Sequence, residues 1–171
     1  MTNKINIRTD IQDKRWKTAV NSLPRLIEQC QKTALSVILS DVPFLNEPKK
    51  FFINLALSND QTVHALNKEF RGMDKPTNVL SFANVDDAFF PQMLQTQSDI
   101  ELGDIILAFE TMTREASELE IGLEEHFCHL FVHGILHILG YDHIKRTDRL
   151  RMEQAEIKIL NLLGYQNPYQ E

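Results

Sequence analysis

Residues 102–139 read LGDIILAFETMTREASELEIGLEEHFCHLFVHGILHIL and predict three consecutive elements. The run LGDIILAF is strongly apolar, which is typical of one buried strand. The residues that then recur at helical spacing are Met112, Ala116 and Leu119, and this short helix is expected to end at Gly122. Residues 123–139 carry apolar side chains on most faces and predict a longer, largely buried helix. A strand followed by a buried helix favours a layered fold in which helices cover a sheet.

The sequence on both sides of this region adds further strands and helices. The predicted strands are INIR (5–8), FFINLALS (51–58) and NVLSF (78–82). A last helix is expected from about Thr147 to just before Gly164. Residues 83–101 lack a clear period and contain Pro91, so they are expected to form a mobile surface loop. We therefore predict a single domain over residues 1–171, of α/β or α+β class, with a small mixed sheet of about four strands flanked by helices.

One predicted helix ends at an arginine that has two interpretations. The helix is expected to begin at Asn59 or Asp60 and to end at Gly72. Its apolar residues recur on one face and are expected to pack: Val63, Leu66 and Phe70. Arg71 would then be held at a rigid helix end, where a guanidinium suits a phosphate oxygen. The helix dipole favours an arginine there without any ligand, and spacing alone favours this second interpretation.

The composition is that of an ordinary globular protein. Of 171 residues, 43% are hydrophobic and 25% are charged, which excludes a wholly disordered chain and a coiled-coil rod. Lysine and arginine total 18 against 24 acidic residues, so the formal net charge is −6. This charge argues against binding nucleic acid through total charge alone, and any polyanion must meet a local basic patch or a metal ion.

The chain has no feature of a membrane or secreted protein. No window approaches the ~18 uninterrupted apolar residues of a membrane span, and the opening MTNKINIRTD lacks the apolar core of a secretory signal. We therefore expect a cytoplasmic protein with no membrane partner. Cys30 and Cys128 form no CxxC pair and no disulfide framework, so both are expected to be reduced core thiols.

The strongest chemical signal is HGILHILGYDH, residues 133–143. His133 and His137 lie four apart at the C-terminal end of the buried helix, so they project from one face ~5.4 Å apart along its axis. Gly140 can take the left-handed conformation that ends a helix, and the resulting turn can return His143 to the same ion. Three neutral nitrogens with an open fourth position are typical of catalytic zinc. One HxxxH pair is weak evidence, but the glycine and the third histidine favour a metal site over packed or surface histidines.

Residues next to this motif allow other choices of metal ligand and of hydrogen-bond partner. His126 and His129 extend the histidines into a stripe on one helix face. A competing ligand trio would be His129, His133 and His137, but it spans ~12 Å along the axis, too far for one ion with ~2 Å bonds. His129 is therefore interpreted as a neighbour of the site, and His126 as incidental. Asp142 is a candidate partner for the second nitrogen of a ligating histidine, or equally a solvated turn residue.

The motif also resembles the zinc protease pattern HExxHxxGxxH, with one difference. Gly134 stands where those enzymes carry the glutamate that acts as general base. Without this carboxylate, the mechanism of peptide hydrolysis loses its proton acceptor. The difference weighs against a protease.

Four stretches together resemble the YbeY family of bacterial ribosomal-RNA maturation factors. They are LNKEFRGMDKPTNVLSF (66–82), LGDI (102–105), HLFVHGILHILGYDH (129–143) and LGYQNPY (163–169). The string HGxLHxxGYDH is highly specific, and the matches cover roughly the C-terminal two thirds of the chain. Many relatives continue with proline after NVLSF, whereas this chain has Ala83, a departure that concerns one wall of the expected cleft.

The resemblance implies a metal-dependent endoribonuclease that cuts single-stranded RNA. It implies a role in the maturation of small-subunit ribosomal RNA and in ribosome quality control. It also implies one zinc ion per chain on His133, His137 and His143, with Arg71 opposite the metal across the cleft. The implied partners are single-stranded ribosomal RNA and the ribosome or its subunit proteins.

A mechanism follows from this resemblance as a hypothesis. The ion would polarise a phosphoryl oxygen or activate a bound water, and Arg71 would stabilise charge on the phosphate. His133 and Arg71 are therefore the catalytic candidates. The candidates for contacting the substrate are Arg71, Lys75 and His129, the last also as a proton carrier. Water and the 2′-hydroxyl of the RNA are alternative nucleophiles.

Two other functions are compatible with the same residues. One is a non-catalytic ribosome-assembly factor with structural zinc, and the other is a metallohydrolase of a non-RNA substrate. An open coordination position favours an enzyme over the first, and Gly134 speaks against peptide hydrolysis in the second. Four cations follow the third histidine and are either a guide for an RNA backbone or a solvated helix start: Lys145, Arg146, Arg149 and Arg151.

Overall fold

The computed structural model describes residues 5–142 and 145–169, which form four β-strands and seven α-helices. The strands are β1 (Ile5–Ile11), β2 (Lys50–Ser58), β3 (Val79–Ala83) and β4 (Asp99–Ala108). The helices are α1 (Arg15–Ala19), α2 (Leu23–Ile38), α3 (Asp60–Arg71), α4 (Phe90–Thr96), α5 (Phe109–Glu118), α6 (Leu123–Ile138) and α7 (Arg146–Leu162). In this described part of the chain, no helix combines the length and apolarity needed to cross a membrane.

The four strands form one mixed sheet in the order β1-β2-β4-β3. Strands β1, β2 and β4 are parallel, and β3 runs antiparallel to β4 at one edge. Parallel neighbours cannot be joined by a tight turn, and helices occupy the long connections between them. All four predicted strands are present, and the mixed sheet with flanking helices confirms the predicted fold class.

Helix α6 is buried between the sheet and three other helices. It packs against β3 and β4, and also against α2, α5 and α7. Its residues Phe127, Phe131 and Ile135 have no solvent exposure. Cys30 of α2 and Cys128 of α6 are buried free thiols, as expected. This packing fixes the position of the histidines that α6 carries.

Strand β3 approaches β4 very closely at Gly103. The φ angle of Gly103 is +151°, and a Cβ at this residue would lie 2.1 Å from the backbone oxygen of Phe82. The pairing of β2 with β4 shifts its register at the same level, between Phe52 and Ile53. Only glycine fits this contact, which accounts for the glycine of the LGDI stretch.

Helix α3 covers part of the other face of the sheet. Asn59 caps it by accepting a hydrogen bond from a backbone N–H of the first turn at 2.9 Å, and Gly72 ends it with a φ of 67°. Val63 is buried as predicted, but Phe70 is 61% exposed, so the expectation that Phe70 is packed like Val63 is wrong. Phe70 lies instead at a groove of about 450 Å³ on the sheet face, where its ring meets that of Phe82 with centroids 5.8 Å apart.

Residues 83–101 are not the irregular loop that their sequence predicts. They contain a short 3-10 turn (Asn84–Asp86), helix α4 and the first residues of β4. Phe90 is only 5% exposed and packs on Phe44, with ring centroids 5.4 Å apart. Pro91 stands in the first turn of α4, where its missing N–H costs no helical hydrogen bond. One buried aromatic residue thus anchors a helix that is too short to show a period.

Candidate active site

Two histidines of α6 face the same cleft. His133 and His137 lie one turn apart, and their Nε2 atoms are separated by 3.1 Å. Two nitrogens bound at ~2.05 Å to a tetrahedral ion lie ~3.3 Å apart, so this spacing fits two ligands of one metal ion. Both side chains are partly exposed, which leaves them accessible to an ion and a substrate.

A buried carboxylate stands behind this pair. Glu156 of α7 has no solvent exposure, and its Oε1 accepts a hydrogen bond from Nδ1 of His133. Its Oε2 accepts hydrogen bonds from Nε2 of His129, at 3.3 Å, and from the hydroxyl of Tyr169. Neither Glu156 nor Tyr169 is among the residues predicted from the sequence. One signal in the sequence could have indicated Glu156. It lies on the side of α7 that carries the buried apolar residues, and a charged side chain buried there needs a partner.

The hydrogen bonds keep Glu156 ionised. Burial alone would raise its pKa, but the bonds from His129 and His133 and the charge of His133 outweigh burial and lower the pKa to about 2. Burial and the neighbouring carboxylate raise the pKa of the Tyr169 hydroxyl, so this group stays a hydrogen-bond donor. A buried negative charge directly behind His133 favours a cation on the other side of the imidazole.

The third predicted ligand, His143, lies outside the described residues. Gly140 has a φ of +99°, in keeping with the chain reversal that the prediction requires. Within residues 5–142 and 145–169, no group of three or more His, Cys, Asp or Glu side chains is arranged to hold a metal ion. The described part of the site thus offers two candidate ligands, and the role of His143 stays a prediction.

The other two histidines of α6 are hydrogen-bonded to carboxylates. His129, which reaches Glu156, lies beside His133 with ring centroids 6.4 Å apart. His126 is buried, and its Nε2 lies 2.9 Å from Oε1 of Glu115. The same carboxylate accepts a hydrogen bond at 2.9 Å from the side chain of Asn78, which lines the cleft. His126 is therefore linked, through one carboxylate, to the cleft wall.

Arg71 enters the cleft from the end of α3. Its Nη2 donates a hydrogen bond to the backbone oxygen of Ser81 at 2.6 Å, and its guanidinium carbon lies 5.2 Å from the centre of the Phe82 ring. These contacts hold the side chain against β3. Two clefts, of about 270 and 260 Å³, share Arg71 and His137 in their linings. The structure thus brings the arginine and the histidine pair to adjoining clefts.

Two other predicted residues lie at the margin of these clefts. Lys75 is exposed, and its backbone oxygen accepts a hydrogen bond at 2.8 Å from the side chain of Asn67, which ties the turn to α3. Lys75 lines neither of the two clefts. Asp142 is exposed and lines the second cleft beside His137. The structure therefore brings Asp142 to the cleft and leaves Lys75 outside its lining.

The packing of α6 on the sheet explains the glycine inside the histidine motif. A Cβ at Gly134 would lie 3.0 Å from two side-chain carbons of Ile105 on β4. A side chain at this position would point at Ile105 in the packed core, and even its Cβ would require Ile105 to give by a few tenths of an ångström. The general base of the zinc protease pattern is absent at this position, which weighs against peptide hydrolysis.

Sequence comparison finds close relatives of the chain. A sequence model of the family described as endoribonuclease YbeY matches residues 8–164. A Paramagnetospirillum magneticum protein named endoribonuclease YbeY is 40% identical over 171 residues, which cover 100% of this chain and 99% of the relative. A Sinorhizobium fredii protein of the same name is 37% identical over 167 residues, which cover 96% of this chain and 92% of the relative.

A solved structure shares the fold. The solution structure of a Thermotoga maritima protein aligns with a TM-score of 0.53 and 19% sequence identity, covering 96% of this chain and 99% of that one. At this identity, the likeness concerns the arrangement of strands and helices alone.

Proposed function

The chain belongs to the endoribonuclease YbeY family, and we propose that it is a metal-dependent endoribonuclease that cleaves single-stranded RNA. The observation that carries the proposal is the pairing of His133 with His137, whose Nε2 atoms lie 3.1 Å apart in a cleft that Arg71 also lines. Nitrogen ligands for a divalent ion beside a guanidinium suit a phosphodiester, because both groups stabilise negative charge on phosphate oxygens.

The proposed metal is one zinc ion per chain, held by His133, His137 and His143. Imidazole ligands with an open fourth position suit zinc. The carboxylate of Glu156 supplies the partner that the second nitrogen of a ligating histidine usually has. When bound, zinc would polarise a phosphate oxygen or lower the pKa of a bound water.

Arg71 is proposed to bind the phosphate and stabilise the charge that develops on it during cleavage. A guanidinium has five N–H donors, so its hydrogen bond to Ser81 leaves donors for phosphate oxygens. His129, beside His133, is proposed as a proton carrier. The attacking oxygen belongs either to water or to the 2′-hydroxyl of the RNA, and the two leave different product ends.

Single-stranded RNA is the proposed substrate, and its main support is the family membership of the chain. The two adjoining clefts, of about 270 and 260 Å³, have room for a few groups of one strand. With a net charge of −6, the protein needs local cations to bind an RNA backbone. Three exposed cations at the start of α7 are proposed to provide them: Lys145, Arg146 and Arg149.

We further propose that the substrate is small-subunit ribosomal RNA. In this role the protein would act in the cytoplasm, together with the ribosome or its subunit proteins, in ribosomal RNA maturation and ribosome quality control. The support for this cellular role is the family membership of the chain.

Parallel preparations of wild type, Arg71→Ala and His133→Ala test the proposal through zinc content and cleavage of single-stranded RNA. Wild type is expected to carry zinc and to cut RNA. His133→Ala should lose both properties. Arg71→Ala should keep zinc, but its cleavage rate should fall about 10²–10³-fold, because a donor that stabilises the developing charge is removed.

The variants also control for contaminating nucleases, because a contaminant would cut RNA equally in all three preparations. Full cleavage by metal-free His133→Ala, with cleavage by Arg71→Ala reduced in parallel, would overturn the proposal. Zinc binding by a wild type that cuts no RNA would favour the non-catalytic assembly factor. Cleavage of an unstructured peptide in place of RNA would favour a different metallohydrolase.

A further inference from the structure

We propose that Glu156 and Tyr169 are positioning residues that set the tautomer and ring orientation of His133. The C-terminal segment, residues 163–169, would then help to orient a ligand of the metal ion. The inference rests on the proposed function only in taking His133 as a metal ligand. It assigns a role to two residues that line neither cleft.

The hydrogen bond between Glu156 and His133 determines which ring nitrogen carries the hydrogen. An ionised carboxylate only accepts hydrogen bonds, so Nδ1 of a neutral His133 must be the protonated nitrogen. The Nε2 atom then keeps its lone pair, and this atom is the one that lies 3.1 Å from Nε2 of His137. Glu156 therefore presents the metal-binding nitrogen of His133 to the cleft.

The carboxylate of Glu156 is itself held at both oxygens. Oε1 binds His133, while Oε2 accepts hydrogen bonds from His129 and from the hydroxyl of Tyr169. Because the side chain has no solvent exposure, water does not readily replace a donor that is removed. The Tyr169 hydroxyl thus helps to keep the carboxylate in the orientation that His133 requires.

The C-terminal segment is folded so that Tyr169 reaches this carboxylate. After α7, the backbone N–H of Tyr165 donates to the backbone oxygen of Leu160 at 2.9 Å. The backbone N–H of Tyr169 donates to the side chain of Asn167 at 2.8 Å. The ring of Tyr169 then meets the ring of His129 edge-on, with centroids 5.7 Å apart. The C-terminal segment is thereby joined, through Tyr169, to the histidines of α6.

Zinc affinity, measured by competition with a chelator, is the first test. Glu156→Leu removes the acceptor at similar volume, and its zinc affinity should fall about 10–100-fold. Glu156→Gln keeps one acceptor oxygen and should recover part of this loss. Tyr169→Phe removes only a hydroxyl, and its affinity should fall about fivefold, the equivalent of one net hydrogen bond.

Tyr165→Phe is the matched control for Tyr169→Phe. It removes a hydroxyl from the same C-terminal segment, but this hydroxyl lies 4.0 Å from Sγ of Cys128 and not at Glu156. Its zinc affinity should equal that of wild type. Circular dichroism and thermal unfolding of every variant separate a loss of fold from a loss of positioning.

The second test needs neither metal nor activity. The ¹⁵N chemical shifts of His133 in the metal-free folded protein report which ring nitrogen carries the hydrogen. Wild type should carry it on Nδ1, whereas Glu156→Leu should shift the population towards Nε2. If Glu156→Leu does not fold, Tyr169→Phe is measured by the same two methods.

Unchanged zinc affinity and an unchanged His133 tautomer in folded Glu156→Leu would overturn the inference. An equal loss of affinity in Tyr165→Phe and Tyr169→Phe would overturn it as well, because the segment would then act only through general stability. A wild type that binds zinc with the Nδ1–H tautomer but cuts no RNA would contradict the proposed function and support the positioning role.

Discussion

Glu156 carries a negative charge in the protein core, and hydrogen bonds from two histidines and a tyrosine make this charge compatible with burial. The donors come from α6 and from the C-terminal segment, which are remote in sequence. If the partners were removed, the same buried charge would destabilise the fold. The ionisation of one residue is therefore coupled to the stability of the molecule.

The stability of the metal-free protein should depend on Glu156 at acid pH. Folding lowers the pKa of this carboxyl from 4.5 to about 2. Its contribution is therefore fully present above pH 4.5 and is lost as the pH falls towards 2. The shift corresponds to about 3 kcal/mol. Denaturant unfolding of wild type and Glu156→Gln over this range should show a steeper acid loss for wild type, and equal slopes would contradict the assignment.

The histidine pair could be predicted from sequence because a spacing of four on a helix forces a common face. Glu156 and Tyr169 could not be predicted in this way, because Glu156 reaches His133 only through the packing of α7 on α6, and Tyr169 reaches Glu156 only through the fold of the C-terminal segment. Hydrophobic spacing identifies the apolar neighbours of Glu156 on α7, among them Met152 and Ile159, and passes over the charged residue between them.

Among the strands and helices, those with long apolar runs could be predicted from hydrophobic spacing, whereas the pairing of strands could not. Strand β4 begins at Asp99, ahead of the predicted start at residue 102, because Ile100 pairs with Phe51 of β2. Helix α4 has only seven residues and contains a proline, so its sequence resembles that of a loop. What defines both segments is a tertiary contact, which hydrophobic spacing alone does not reveal.

Two adjacent phenylalanines test whether α4 is anchored as the structure shows. Phe90→Ala should reduce the free energy of unfolding by about 3 kcal/mol, because it leaves a cavity against Phe44. Phe89→Ala is the matched control, since this ring is 68% exposed while that of Phe90 is 5% exposed. Its effect should stay within about 0.5 kcal/mol. Urea unfolding measures both changes, and equal effects would show that Phe90 is not the anchor.

At the scale of the whole molecule, the N-terminal part belongs to the same sheet as the site. The motifs that resemble the family lie in roughly the C-terminal two thirds of the sequence, whereas the family match covers residues 8–164. Strand β1 pairs with β2 from Ile5 to Ile11, which explains why the N-terminal residues form part of the domain.

The acidic net charge predicts a weak dependence of RNA affinity on salt. Contacts with about two or three phosphates at the site would release about 0.7 counterion each, so log Kd should rise with log salt with a slope of about 2. Fluorescence anisotropy with a short single-stranded RNA at several salt concentrations gives this slope. A slope of about 5 or more would mean an extended basic surface, in conflict with a focused site.

The proposed activity depends on three imidazoles that meet at one metal ion: those of His133, His137 and His143. The most direct measurement is a crystal structure of the wild-type protein with zinc bound. We expect one ion about 2.0–2.1 Å from Nε2 of His133, Nε2 of His137 and a ring nitrogen of His143, with the fourth position open to solvent. Zinc bound elsewhere, or a fourth protein ligand that closes the site, would rule out this arrangement.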